Sequence, residues 1–225
     1  MLVEWGVLRE RLHVVPNIID LERCSMKAFE PLQDGLSRVS SVVNFVTVGR
    51  FSWEKGYQIA LDCARQLYQM GLEFCWWFVG GGEEQRGEFN KLASGIEEAV
   101  RFVPFMTNPL PLVKACTVFV SPSKFESFGL VLGEAFVLGK PIIATRTAGS
   151  ELWVRPSVNG EIVPYSSNAL AKALRRCITE PEYLAELRSN AEKMAESSFV
   201  HDMNERAVSE FVSLLNYFGI DAEVF

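Results

Sequence analysis

From Val42 to about Thr179, short apolar runs rich in β-branched residues alternate with stretches in which apolar positions recur every three or four residues. The first pattern predicts strands, the second predicts amphipathic helices, and their alternation predicts βαβ units. The strand candidates are VVNFVTV (Val42–Val48), FCWWFV (Phe74–Val79), AVRFV (Ala99–Val103), TVFVS (Thr117–Ser121), PIIAT (Pro141–Thr145) and GEIVP (Gly160–Pro164). They are apolar throughout rather than alternating, as expected of a parallel sheet covered by helices on both faces. Helices are predicted over Tyr57–Met70, Glu83–Ser94, Leu110–Ala115, Leu130–Leu138 and Asn168–Ile178, with Ser166 or Ser167 as a cap for the last of these. Pro181 opens a further helix to about Glu196, and Asp202 or Asn204 opens one running to Tyr217. Right-handed crossovers then give an α/β fold with a doubly wound, Rossmann-like parallel sheet. The division expected is residues 1–41 as a short strand, LHVVP (Leu12–Pro16), and a polar connector (Leu21–Ser41), residues 42–198 as the sheet domain, and residues 199–225 as a C-terminal helix and tail.

Composition narrows the class. The 225 residues are 48% apolar and 22% charged, which suits a folded globular chain with a sizeable core. The longest near-apolar stretch, Leu130–Ala144, is interrupted by Gly133, Glu134, Gly139, Lys140 and Pro141, and falls short of the roughly 20 residues of a membrane span. A net charge of −6 offers no basic face for nucleic acid. Five cysteines, with neither a CxxC nor short Cys/His spacing, suggest a reducing compartment, no disulfide framework and no zinc site. The opening MLVEWGVLRERLHVV lacks the features of a secretory signal, so a cytoplasmic location is expected.

In open α/β sheets ligands lie outside the carboxyl ends of the strands. The loops there read GRFSWEKG (Gly49–Gly56), GGGEEQ (Gly80–Gln85), PFMTNP (Pro104–Pro109), PSKFESFG (Pro122–Gly129) and RTAGSE (Arg146–Glu151). Arg50 and Lys55 stand just before a helix and suit a diphosphate, unless Glu54 simply pairs with one of them in a solvated loop. Gly80–Gly82 do not form a GxGxxG fingerprint and read first as a tight turn. Glu126 and Glu134 have seven residues between them, one in a loop and one about a turn inside the next helix, so that helix can aim both at one pocket. An ionised carboxylate only accepts hydrogen bonds and so suits a vicinal diol; the amides of Phe128, Gly129, Leu130 and Val131 suit a phosphate. The alternative for Glu134 is a buried carboxylate satisfied locally. Trp76 and Trp77 point to opposite faces of one strand, both into core, and His13 and His201 carry no ligand pattern. There is no DxD, so no metal is expected.

These residues resemble the donor-binding domain of retaining GT-B fold glycosyltransferases, the group that includes glycogen synthases and bacterial mannosyl- and glucosyltransferases. VVPNIID, VGRFSWEKG, FVGGGEE and VSPSKFESFGLVLGEAFVLGKPIIAT carry the resemblance, in order, over nearly the whole chain. It implies that Arg50 and Lys55 hold the donor diphosphate and Glu126 meets sugar hydroxyls. It also implies that Glu134 holds the ribose, the amides from Phe128 to Val131 take a phosphate, Gly80 belongs to the donor site, and Val103, Pro104 and Phe105 face the base. The donor implied is a nucleoside-diphosphate sugar, and no cofactor is implied. The acceptor would be a glycan, lipid or small molecule, and an acceptor-binding half in the same or a separate chain would complete the enzyme and could place it at the inner face of a membrane. AGSELW departs from the family's Gly-Gly-x-Pro-Glu turn, which bears on Glu151, and VPFM lacks the glycine usual after AVRF. Two other functions fit parts of the pattern: a catalytically silent nucleotide-sugar-binding module, and a glycoside hydrolase using Glu126 and Glu134, which leaves Arg50 and Lys55 without a role.

Overall fold

The structure is a computed structural model that describes residues 12–32 and 42–218, with isolated positions 6, 8, 9, 35, 36 and 220, and only the backbone of 83–86. Asp20–Ser197 form one compact unit; the described parts of Met1–Ile19 and Ser198–Phe225 group into a second.

In the larger unit the order is α1 (Leu21–Lys27), β1 (Val43–Val48), a 3-10 turn (Trp53–Lys55), α2 (Tyr57–Gln69), β2 (Phe74–Val79), α3 (Glu83–Leu92), β3 (Val100–Val103) and α4 (Leu110–Ala115). It continues with β4 (Val118–Ser121), α5 (Leu130–Val137), β5 (Ile142–Thr145), α6 (Ala148–Trp153), β6 (Gly160–Val163), α7 (Ser167–Thr179) and α8 (Pro181–Ala195). All strand pairings are parallel, in the order β3-β2-β1-β4-β5-β6, so the predicted doubly wound sheet is present. Alternate residues of the strands face opposite layers. Phe45, Trp76, Phe78, Val118, Val120 and Ile143 join a core with Tyr57, Leu61 and Leu67 of α2, Phe89 of α3 and Leu170 and Leu174 of α7. The strand residues between them, among them Val46, Trp77, Phe119 and Ile142, are also buried. α1, α4 and α6 each pack against α5.

Trp76 and Trp77 are both buried, and each indole finds a polar partner at the strand next door. Trp76 Nε1 donates to Thr47 Oγ1 (3.0 Å), and Trp77 Nε1 donates to Asn44 Oδ1 (3.4 Å). Thr47 Oγ1 in turn donates to the Val120 carbonyl (2.8 Å). These bonds satisfy polar groups that burial would otherwise make expensive. All five cysteines are buried, and no disulfide joins them.

Three expectations are corrected. Leu12–Pro16 is not a strand: Val14 and Val15 are exposed and nothing pairs with them in the sheet. The predicted connector contains α1, whose start is set by Asp20, a side-chain cap for Arg23 N (2.8 Å), with Glu22 in the first turn and Lys27 in the last. One buried residue, Cys24, anchors it, too little apolar signal to show periodicity. The rest of that connector, 33–34 and 37–41, lies outside the described residues. RTAGSE is not all loop: Thr147 and Ser150 form a reciprocal capping box that opens α6. Ser166 does occupy the cap position of α7, but its side chain makes no capping bond.

In the smaller unit α9 runs from Phe199 to Tyr217, starting before Asp202 and Asn204. Asn204 is spent elsewhere: its Oδ1 accepts from Ile19 N (3.0 Å) and its Nδ2 donates to the Ile19 carbonyl (2.7 Å). Phe211 is exposed, whereas Ala207 is buried. Among the described residues no helix is long and apolar enough to cross a membrane.

Candidate functional site

The order of the sheet reverses between β1 and β4, so that the crossovers after these two strands leave in opposite directions. Two of the chemistry-bearing loops meet there. Lys55, at the end of the 3-10 turn after β1, lays its aliphatic stem over Gly49 and donates from Nζ to Glu126 Oε2 of the loop after β4 (2.6 Å). Both are largely withdrawn from water, their side chains 26% and 19% exposed. Glu54 does not compete for this lysine in a salt bridge. A hydrogen bond with Ser52 holds its carboxyl below the usual range, with Arg50 and Lys55 adding a smaller pull.

The two loops are pinned together by backbone. Lys124 N donates to the Glu54 carbonyl (2.7 Å). Gly56, at φ +69°, lies so close to Pro122 that a Cβ would stand 1.8 Å from its carbonyl oxygen; no other residue fits. The far side of the Glu126 loop is held by α6: Gly149 N donates to the Glu126 carbonyl (2.9 Å), and buried Trp153 donates from Nε1 to the Phe128 carbonyl (2.7 Å). A side chain at Gly149 would press into Glu126 Cγ, which explains a small residue at this point of α6. Thr145 Oγ1 bonds the Ser121 and Ser123 carbonyls and ties the same segment to β5.

Among the described residues, a small cavity and a larger cleft open at this end of the sheet. The cavity, about 10 Å³ or room for one water, is lined by Lys55, Glu126, Thr47, Ser121, Ser123 and Val131 among others. The cleft, about 690 Å³, lies beside it, with Arg50, Trp53, Gly81, Gly82, Glu88 and Phe105 in its walls. Arg50 is exposed there. Of the base-facing candidates, Val103 is buried and its carbonyl accepts from Gly80 N (3.1 Å), Pro104 is exposed outside the cleft lining, and Phe105 stands 74% exposed in the cleft wall. Gly80 is buried beside Gly49.

Helix α5 begins at Leu130, with Gly129 as its cap, so no side-chain oxygen takes its opening amides. That leaves an N-terminal end of the kind that holds an anion. Phe128 is half-buried, Leu130 is exposed, and Val131 reaches the small cavity. Glu134, one turn further, lines neither cavity. It is half-buried near α1, and burial pushes its carboxyl above the usual range while Arg23 pulls it back in part. Direct contact therefore joins Lys55 to Glu126; Arg50 and Phe105 share the neighbouring cleft, and Glu134 answers to Arg23. Arg23, Trp53 and Phe125 were not singled out from the sequence. For the two aromatics the available signal was a large ring inside an otherwise polar loop, S-W-E-K and S-K-F-E.

Residues 38–194 match the family model described as glycosyl transferases group 1. The chain belongs to that family. Curated relatives include a D-inositol 3-phosphate glycosyltransferase 1 of Catenulispora acidiphila, 32% identical over 204 residues, the match covering 85% of this chain and 49% of that protein. Another is the lipopolysaccharide core biosynthesis glycosyltransferase LpsE of Rhizobium meliloti, 27% identical over 168 residues, covering 73% of this chain and 47% of that protein. Among solved structures, Anabaena Alr3699/HepE in complex with UDP and glucose superposes with a TM-score of 0.76 at 25% identity, covering 94% of this chain and 59% of that one. WaaG, a glycosyltransferase of lipopolysaccharide biosynthesis, shares the fold at a TM-score of 0.71 and 21% identity. The chain spans about half the length of the curated relatives it matches. As a group 1 glycosyltransferase chain, it has the Rossmann-like sheet found in GT-B glycosyltransferase structures.

Proposed function

We propose that this chain is the donor-binding half of a retaining glycosyltransferase, and that a nucleoside-diphosphate sugar lies across the carboxyl ends of β1 and β4. The observation that carries the proposal is the Lys55–Glu126 pair, a cation and an acceptor-only carboxylate in contact at the switch point of the sheet. In this arrangement Lys55, Arg50 and the opening amides of α5 take the diphosphate, and Glu126 accepts from hydroxyls of the transferred sugar. Glu134 takes the ribose, and Phe105 in the cleft wall faces the base. Negative charge grows on the departing diphosphate as the anomeric carbon becomes cationic, and fixed cations and helix-terminal amides stabilise that separation without reorganising. UDP and UDP-glucose in the Anabaena HepE complexes support a nucleotide sugar as the ligand class.

Transfer with retention to an acceptor hydroxyl is proposed for this chain together with an acceptor-binding half, in the same chain or a separate one; without it the chain acts as a binding module. Calorimetric titration with UDP, GDP and ADP, then with their glucose and mannose conjugates, tests the donor assignment. One base should bind with a clear preference. Equal and negligible heats for all three diphosphates would remove it.

A further inference from the structure

Helix α6 is six residues long, yet it holds the Glu126 loop at two alternate peptide groups. Gly149 N donates to the Glu126 carbonyl (2.9 Å), and Trp153 Nε1 donates to the Phe128 carbonyl (2.7 Å). Both peptides are trans, and in a planar trans peptide the carbonyl and the N–H that follows it point opposite ways. With the two carbonyls turned onto α6, the N–H groups of Ser127 and Gly129 are turned away from it, and nothing among the described residues accepts from either. The brace is itself fixed at both ends. Thr147 and Ser150 cap its start, and at its end buried Asn159 donates from Nδ2 to the Trp153 carbonyl (3.0 Å) and accepts from Arg155 N (2.7 Å). The Trp153 ring is fully buried, meeting Phe128 edge to face (5.4 Å between centroids, 88° between planes) and Phe136 of α5 at 5.7 Å. One indole thus spans the loop, the helix it leads into and the carbonyl that sets the peptide between them. A buried indole N–H calls for an acceptor wherever it lies; in this fold the acceptor is the carbonyl directly before Gly129, the cap of α5.

We infer that Trp153 is a positioning residue for the donor diphosphate: through the Phe128 carbonyl it holds the Gly129 amide, and with it the start of α5, in the direction a phosphate oxygen requires. The inference rests on the donor assignment above, which gives the phosphate to these amides. Trp153 is itself out of reach of any ligand, so its N–H acts through the orientation of one peptide. A donor fixed in advance binds an anion without reorganising, whereas a peptide free to rotate has to be ordered when the anion arrives. The effect of the indole N–H should therefore fall on the diphosphate and leave the nucleoside alone.

Calorimetry with UDP and uridine, or with the diphosphate and nucleoside of whichever base the titration above prefers, separates positioning from packing. The proteins compared are wild type, Trp153→Phe and Phe136→Leu; the last disturbs the same ring cluster and leaves the indole bond in place. Trp153→Phe is expected to lower diphosphate affinity about tenfold while nucleoside affinity stays within about twofold. Phe136→Leu should leave the ratio of the two affinities at its wild-type value. Replacement of Trp153 by 3-benzothienylalanine, which keeps the shape of the indole and puts sulfur where the N–H was, should reproduce the Trp153→Phe result, and it carries the test if Trp153→Phe does not fold. A wild-type ratio in the variant that lacks the N–H overturns the inference and leaves the donor assignment standing. An equal fall of the ratio in Phe136→Leu overturns it too, since Trp153 would then act by packing alone. Wild-type protein that binds no nucleoside diphosphate sinks the donor assignment and this inference with it.

Discussion

Glu126→Gln should tighten UDP, not weaken it. The carboxylate occupies the Lys55 ammonium at 2.6 Å, and a diphosphate reaching Lys55 has to displace that bond and tolerate the nearby negative charge. A hydrogen bond between charged groups contributes about 1.5–3 kcal/mol, and part of this is regained by rehydrating a freed ammonium. Both side chains are mostly withdrawn from water, so screening removes little of it. The expected gain is about 1–2 kcal/mol, roughly 5- to 30-fold in UDP affinity. For UDP-glucose the sign differs: the amide forfeits the charged acceptor for the sugar hydroxyls, a loss of about 1.5–3 kcal/mol that offsets or exceeds the gain. The quantity to measure is the ratio of the UDP and UDP-glucose dissociation constants, by calorimetry at one fixed salt concentration, in wild type and Glu126→Gln. Repetition on a Lys55→Met background should abolish the tightening, since the two effects are coupled through one contact. If Glu126→Gln weakens UDP and UDP-glucose equally, or tightens UDP whether or not Lys55 is present, the carboxylate does not compete with the diphosphate and the site is wrongly drawn.

The other expectations concern the remaining groups. Arg50→Ala should lower UDP affinity by about tenfold, the smaller end of the range because the guanidinium is exposed, with uridine affinity little changed; equal losses for both would contradict a phosphate role. Gly56→Ala should destabilise the chain by about 2–4 kcal/mol in urea unfolding, because φ is +69° and the added Cβ meets the Pro122 carbonyl; an unchanged midpoint would show that the β1 and β4 loops are not pressed together. Glu134→Gln should stabilise the unliganded protein above the folded pKa of Glu134, which burial raises. Wild-type stability is lost as pH rises through that pKa, so the advantage of the variant should fade toward pH of about 4, where the carboxyl is protonated in the unfolded chain as well. Thermal unfolding across that pH window decides it, and a gap independent of pH would mean the carboxylate is not penalised by its surroundings.

The parts of this fold that were legible in the sequence are those where burial writes a long, repeated signal. Phe74–Val79 emerged with its predicted ends because six consecutive buried positions leave a continuous apolar run. α1 and α6 escaped for the opposite reason: each is short, and each is defined by one capping residue, Asp20 or Thr147, rather than by a stripe of core residues. The buried bonds of Thr47 to Trp76 and Val120 were equally silent, since a threonine in a strand looks the same whether or not its hydroxyl ties two neighbours together.

The same distinction runs through the site. Charged residues in the loops after strands advertise themselves, so Arg50, Lys55 and Glu126 could be named from type and position, and Glu134 as an acid in an otherwise apolar helix. What spacing does not contain is partnership. Lys55 could have answered to Glu54, its neighbour in sequence, yet it reaches across 71 positions to Glu126 because Gly56 and Pro122 bring the two loops into contact. Glu134, equally conspicuous, instead sits near Arg23 on a helix whose presence the sequence did not announce. A carboxylate held by a single ammonium is poised to exchange partners when a polyanion arrives. One held back by burial, with a distant guanidinium as its counterweight, gains most from a ligand whose hydroxyls donate to it. The two glutamates, alike in the sequence, should therefore respond to nucleotide with opposite signs: removal of charge at Glu126 helps the diphosphate, while the same change at Glu134 takes an acceptor from the ribose and weakens nucleoside and diphosphate together.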